Sequence, residues 1–400
     1  MRIATGSAHG RRAGDATAEA GAEIAGVLAA EPHLVVAMVA ATLDVDAVLD
    51  QLRTRWPGAM IHGATSCLGA MTGAGFHGSE GDGLALWALH DPAGAYGTGM
   101  ADMGADAESA RAAAMQAVRD AVVAADRPGE LPAMLWLSSA PGREEAVLAG
   151  IHDVVGTGVP VAGGSTADNA VTGTWQQFSH LGTAANGVVI TAFFPSVEVG
   201  MAFHNGYRPT EERARVTAAK GRVIHELDGE PAAQVYNRWT DGLIADVLPE
   251  GGTVLARSTF HPLGYTIGEV ERVPRYLLLH PAYVHGDGSL SVFADAPVGR
   301  ELVLMSGSRE GLIGRAGRVV EAAMQQRGYG PDDVAGALMV YCGGCLLSVG
   351  DGIHDTAADV AAMLDRRPFL CGFTFGEQGC FVDHGNRHGN LMISAAVFGR

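Results

Sequence analysis

Lysine is almost missing from this chain: Lys220 stands alone among 27 basic residues, the rest of which are arginines, against 44 acidic residues and a formal net charge of -17. Such an acidic balance repels phosphate backbones and anionic lipid headgroups, so neither nucleic acid nor a membrane surface is an expected partner. Because no glycine loop precedes Lys220, there is no phosphate-clamping Walker sequence, and nucleotide hydrolysis by that route is excluded. No uninterrupted apolar run of about 18 residues occurs. The start, Met1-Arg2-Ile3-Ala4-Thr5, lacks a charged segment followed by an apolar core, so secretion and membrane spanning are not expected. Neither a Gly-x-Ser-x-Gly elbow nor a Cys-x-x-Cys-His haem attachment sequence is found. Cysteine is sparse and odd in number, with Cys67 early and Cys342, Cys345, Cys371 and Cys380 close to the end. A disulfide framework is usually even and dispersed, so free thiols or metal ligands in a reducing cytoplasm are expected.

What is present is length, glycine and repetition. At 400 residues the chain exceeds what one core usually supports, and its 56 glycines are scattered as turns rather than gathered in a linker. One order of segments occurs three times. An apolar run at 34–40 is followed by a helical pattern at 45–56 and a second strand, Ala59-Met60-Ile61-His62-Gly63-Ala64-Thr65-Ser66. The order returns at 133–139, 143–155 and 159–166, and again at 337–342, 355–366 and 369–376. An alanine-rich amphipathic helix precedes each pass (15–30, 107–125, 310–326), and an apolar strand follows it (83–90, 187–194, 390–398). The strands are continuous apolar runs of the kind covered on both faces. The expected fold is therefore α/β, with three α-β-α-β-β units in two domains with mixed sheets. Residues 1–200 would carry two units, and 201–400 a third unit plus a β-rich insert between about 199 and 297. Gly73-Ala74-Gly75-Phe76-His77-Gly78 spells a dinucleotide pattern but leads into a strand, so it is read as a hairpin-like turn.

In strand-helix-strand crossovers the carboxyl ends of parallel strands share one edge, where loops converge. That edge would carry Thr65, Ser66, Gly163, Gly164, Ser165 and Asn169 from the first two units, residues whose backbone N-H groups and small hydroxyls suit an anion such as a carboxylate. From the third unit it would carry Cys342-Gly343-Gly344-Cys345, Gly376-Glu377-Gln378-Gly379-Cys380 and Asn390. Cys342 and Cys345 have the two-thiolate spacing used for zinc and for redox dithiols. Cys380, His384 and His388 follow at four-residue intervals, and a four-ligand set for zinc, copper or haem iron could be drawn from these five. The glycine- and asparagine-rich stretch 383–390 places the histidine pair in a loop. Glu377 is the candidate general base or ligand contact, Cys342 the candidate thiol nucleophile, and Cys371 a buried core residue.

The blocks Ile61-His62-Gly63-Ala64-Thr65-Ser66, Val161-Ala162-Gly163-Gly164-Ser165-Thr166-Ala167-Asp168, Val223-Ile224-His225-Glu226-Leu227-Asp228-Gly229-Glu230-Pro231-Ala232, His261-Pro262-Leu263-Gly264 and Gly372-Phe373-Thr374-Phe375-Gly376-Glu377 resemble, in this order, the recurring segments of FIST proteins. The resemblance spans nearly the whole chain. It implies a bacterial sensory protein with N-terminal and C-terminal FIST domains that binds small ligands, with amino acids proposed and haem in one subgroup; it brings no catalytic residue. Where relatives tend to have a Cys-x-Gly-Arg-like turn, this chain has Cys342-Gly343-Gly344-Cys345, so a thiol stands in place of an arginine suited to an anionic ligand. Two functions stand side by side. One is a cytoplasmic small-ligand sensor that signals through a separate protein, and the other is a metal-dependent or thiol redox enzyme on the same scaffold.

Overall fold

A computed structural model describes residues 1–10, 12–270, 272–381 and 385–400. Unit one comprises strand Arg2–His9, helix Ala13–Leu28, strand Leu34–Ala40, helix Val45–Arg55, strand Met60–Ser66, a hairpin of Ala70–Thr72 and Gly75–His77, and strand Gly83–His90. Unit two repeats this with Ala95–Asp102, Ala107–Ala124, Met134–Ser139, Glu144–Val155, Val161–Ser165, the hairpin Gln177–Ser179 and Gly182–Ala184, and Gly187–Phe194. Unit three opens with Val199–Asn205. It resumes after a long insertion with helices Arg309–Ile313 and Arg315–Gln325, strand Val334–Cys342, helix Ile353–Met363, strand Phe369–Thr374, the hairpin Glu377–Phe381 and Gly385–Gly389, and strand Met392–Gly399.

In every unit the four long strands form one mixed sheet in the order first, last, second, third. Only the two joined by the crossover helix run parallel, as in Leu34–Ala40 beside Met60–Ser66. The α/β class with three repeats and mixed sheets is therefore the observed fold. The repeat is larger than the helices and apolar runs alone indicate, because each unit also has an antiparallel opening strand and a short hairpin. Arg2–His9 mixes small, polar and charged residues and carries no apolar run to mark it. The third unit's first helix, expected as one piece at 310–326, is divided at Gly314.

The hairpins do not extend their own sheets. That of unit one pairs with Phe369–Thr374 of unit three. Unit two's pairs with Met60–Ser66 of unit one, and unit three's pairs with Val161–Ser165 of unit two. Each unit thus gives a hairpin to one neighbour and receives one from the other, which closes the three into a ring. Inner faces of all three sheets meet in a shared core that includes Trp87, Trp136, Phe193 and Phe398, all without solvent exposure. At its polar point His62 lies 2.9 Å from both Thr191 Oγ1 and Ser138 Oγ, bridging units one and two. Burial pushes its pKa down to about 3, so it is neutral at ordinary pH.

Helices cover the outer faces, and their alanine content has a geometric cause. A Cβ at Gly6 would lie 2.0 Å from Ala20 O, and one at Gly200 equally close to Ala323 O, so glycine on the opening strand and alanine on the helix permit close packing in units one and three. Asp44 caps the second helix of unit one by accepting from Asp46 N and Ala47 N.

The β-rich insert runs from Arg208–Lys220 to Glu301–Ser306, inside unit three between its first strand and first helix. Its nine-stranded sheet packs around Val216, Ile224, Tyr236 and Leu290, with helix Ala232–Trp239 against it. No helix among the described residues is long and apolar enough to cross a membrane.

Candidate ligand-binding site

Unit two, unit three and the insert enclose a cavity of about 810 Å³, within the range of small-molecule sites. Its walls are mainly apolar: Trp175 and Val171 come from unit two, Phe375 and Leu347 from unit three, and Phe260 and Phe293 from the insert. Trp175 and Phe375 meet edge to face at 6.2 Å. The Asp168 carboxylate sets the loop that carries Val171 and Trp175, since its Oδ2 accepts from the backbone N-H groups of Thr172, Gly173 and Thr174 at 2.7–3.0 Å. Val171 and Leu347 remain 46% and 57% exposed, which leaves apolar side chains at the cavity's rim.

A polar end interrupts this lining. Arg222 of the insert donates through Nη2 to Glu144 Oε2 and to Glu145 Oε2, both at 2.5 Å, and so joins the insert to unit two. Ser165 Oγ donates to Glu144 Oε1 at 2.7 Å. Gln378 Nε2 donates to Ser165 Oγ at 3.3 Å and lies 3.1 Å from His388 Nδ1, while His388 Nε2 is 3.2 Å from Phe293 O. Burial opposes ionisation of Glu144. The charges of His388 and Arg222, with hydrogen bonds from Ser165 and Arg222, outweigh it and bring the carboxyl down to about 2. Burial also disfavours the charged form of Arg222, but the two carboxylates prevail and raise its pKa. A fixed cation between two carboxylates therefore stands where a zwitterionic or polar head could enter. His280, whose pKa burial lowers to about 4, lines another part of the wall and lies 3.0 Å through Nε2 from Leu255 O.

Among the expected site residues, Cys342 and Asn390 line this cavity. Asn390 Oδ1 accepts from His280 N at 3.1 Å and so ties the turn before the last strand of unit three to the insert. Those expected from the first two units occupy junctions between units instead. Thr65 Oγ1 accepts from Gln176 N at 2.9 Å, and Ser66 Oγ from Phe373 N at 2.7 Å. Gly163 and Gly164 pair with Gln378 and Glu377 of the incoming hairpin, Ser165 belongs to the Glu144 network, and Asn169 Oδ1 accepts from Leu68 N at 2.7 Å. Glu377 is wholly buried, accepting from Thr374 Oγ1 at 2.8 Å and from Met392 N at 2.9 Å. Burial, then the neighbouring Cys342 and Glu144, push its pKa well above the carboxylate range.

The thiols separate. Cys342 ends a strand, and Cys345 lies on the short helix Gly343–Val349, not in a loop. A hydrogen bond to Cys345 and then burial raise the Cys342 pKa well above a free thiol, so it is held as thiol rather than thiolate. Cys345 Sγ is 3.6 Å from Tyr207 Oη. Cys67, not expected here, is also close to the pair: burial and Cys342 raise its pKa to about 12. Cys371 is core. Cys380 lies on the strand Glu377–Phe381, in a separate small cleft beside Met201 and Arg275. His388, expected in a loop, is on the strand Gly385–Gly389, because the hairpin finds its partner in unit two and chain pairing overrides a glycine-rich composition. His384 lies outside the described residues. Among the described residues no group of three or more His, Cys, Asp or Glu side chains is placed to hold a metal ion.

Sequence reasoning missed Arg222, Glu144, Trp175 and Phe293. Glu144 carries one local signal, as an acid in the first turn of a helix; the others are brought together only by the insert folding back.

The scaffold is mixed α/β, with a mainly apolar cavity between two units and the insert. Residues 33–230 match the FIST N domain and 232–380 the FIST C domain, and the chain belongs to the FIST family. FIST domains are associated with sensing, signal transduction and the binding of small ligands. An uncharacterized protein of Methanocaldococcus jannaschii is 34% identical over 88 residues, which is 22% of this chain and 17% of that protein. The chain thus spans less than a fifth of that relative's length. The crystal structure of a cyanuric acid hydrolase from A. caulinodans aligns over 100% of this chain and 99% of that one at 11% identity, with a TM-score of 0.39, an overlap too loose to transfer fold or chemistry.

Proposed function

We propose that this protein is a cytoplasmic small-ligand sensor of the FIST type, and that its ligand occupies the cavity between units two and three and the insert. The observation that carries the reading is the pairing of a mainly apolar cavity with a charge cluster at its wall, in which Arg222 stands between Glu144 and Glu145. An apolar chamber supplies affinity through exclusion of water, and a fixed charge cluster supplies orientation. The ligand this favours has an apolar body and one compact polar or zwitterionic head, as an apolar or aromatic amino acid has. Binding would tighten the contact of the insert with units two and three, since residues of all three line the chamber. A change in that contact is what a separate signalling protein would detect. The cavity-lining thiol of Cys342 serves this reading as part of the wall.

The test is a thermal-unfolding panel of amino acids and related small zwitterions, run on the wild type and on Ala256→Trp. Ala256 is an exposed residue at the cavity, so an indole there fills space without disturbing the core. A ligand that raises Tm in the wild type and not in Ala256→Trp is the expected result. Equal shifts in both proteins would place binding elsewhere and end the proposal.

A further inference from the structure

A second, smaller cavity of about 510 Å³ lies on another face of the insert's junction with unit three, between the strands Val199–Asn205 and Val273–Leu279 and the helix Arg315–Gln325. Four arginines line it: Arg208, Arg275, Arg315 and Arg318. In a chain with net charge -17 this is an uncommon concentration of one sign. Among the described residues no Asp or Glu lines the cavity, and none of these four guanidinium groups takes part in an ion pair.

Arg315 is the telling one. Its Nε is removed from solvent and has no hydrogen-bond partner, a state that costs free energy in a folded protein unless something else supplies the acceptor. The side chain is held in place by design of the backbone, since a Cβ at Gly206 would come within 2.8 Å of Arg315 Cδ. Burial, and next the charge of Arg318, bring its pKa down to about 9, which is the signature of a cation lacking its counter-charge. Arg275 Nη1 is 3.4 Å from His204 Nδ1. Burial followed by Arg315 and Arg275 lowers the His204 pKa to about 4, leaving a neutral imidazole beside the guanidinium groups. Tyr276, Val319 and Phe381 complete a partly apolar wall.

We infer that this cavity is a binding site for a small polyanion, a molecule bearing two or more phosphoryl or carboxylate groups, distinct from the chamber of the proposed sensor site. Guanidinium forks take such oxyanions through paired, charge-assisted hydrogen bonds. An oxyanion here would supply the acceptor that Arg315 Nε lacks and the counter-charge missing from all four arginines. The remaining volume accommodates an organic body against Tyr276 and Phe381.

Inorganic pyrophosphate and citrate serve as probes of the two headgroup chemistries, titrated calorimetrically into the intact protein at low ionic strength. Arg275→Gln and Arg318→Gln remove charge without touching the buried stem of Arg315, and Arg238→Gln, an exposed residue paired with Glu230, controls for net charge. Binding of pyrophosphate, weakened about tenfold or more by each of the first two substitutions and unchanged by the third, is the expected result and assigns the phosphoryl class. The same pattern with citrate alone supports the site with a carboxylate ligand. Failure of both probes to bind at millimolar concentration would overturn the inference, as would binding that Arg275→Gln and Arg318→Gln leave intact or that Arg238→Gln weakens equally.

Discussion

Two buried glutamates behave in opposite ways, and the difference follows from what faces each of them. Glu144 has a cation and a hydroxyl donor, and its pKa falls to about 2. Glu377 has one hydroxyl, one backbone N-H and no cation, and its pKa rises. For Glu144 the folded value lies below the ordinary 4.5, so its stabilisation is complete above that pH and is lost as pH falls toward about 2. For Glu377 the folded value is the higher one, so its contribution is complete at low pH and declines as pH rises. Glu144→Gln should therefore destabilise the protein at neutral pH, by about 3 kcal/mol, because Arg222 loses a buried partner. Glu377→Gln should be neutral below about pH 4.5, where folded and unfolded states both hold the proton, and increasingly stabilising as pH rises above it. Urea unfolding of both variants across pH checks this, and a similar loss in both would show that the environments are not distinguished as described. The same scale shows where the expected site residues of the first two units sit. Thr65, Ser66, Gly163 and Gly164 end strands at the edge where loops converge, as their sequence indicates. What they face is a neighbouring unit: Ser66 accepts from Phe373 of unit three, and Gly163 and Gly164 receive the unit-three hairpin, and no residue in the local sequence records these arrivals.

At the scale of elements, the long apolar strands and alanine-rich helices were legible because period and length mark them. Gly83–His90 and Gly187–Phe194 coincide with their apolar runs. The turn read at 73–78 falls in the hairpin Ala70–Thr72 and Gly75–His77, with Gly75 at φ +126°. Opening strands escaped notice because they mix glycine and polar residues with apolar ones, and the exchanged hairpins because they are short and held by partners far along the chain. Their exchange has a consequence for the chain divided near residue 200. Residues 1–200 alone would lack the hairpin that completes the sheet of unit two, and 201–400 alone would lack the one that unit one supplies to unit three. Each half would also expose its share of the core around Trp87, Trp136 and Phe398. Separately expressed halves are expected to be aggregated or loosely folded by near-ultraviolet circular dichroism, and co-expressed halves to form a stable complex. Two halves that each unfold cooperatively at the temperature of the whole would contradict the exchange.

At the scale of the molecule, repetition builds a ring and one insertion gives it a site. The three units are alike in sheet order, yet the large cavity forms only where the insert, present in unit three alone, folds over units two and three. Of the residues expected at the shared edge, Cys342 and Asn390 line the cavity, while its charge cluster and most of its aromatic wall come from elsewhere. The insert's other junction carries the arginine-lined cavity, so both candidate ligand sites lie where the one irregular part of the chain meets the regular part. The most direct measurement of the central claim is a crystal structure of the protein with a ligand identified by thermal shift. Ligand density is expected between Trp175, Phe260 and Phe293, with the polar head within hydrogen-bond distance of Arg222 or Glu144. Density at any other location, with this cavity holding only water, would contradict it.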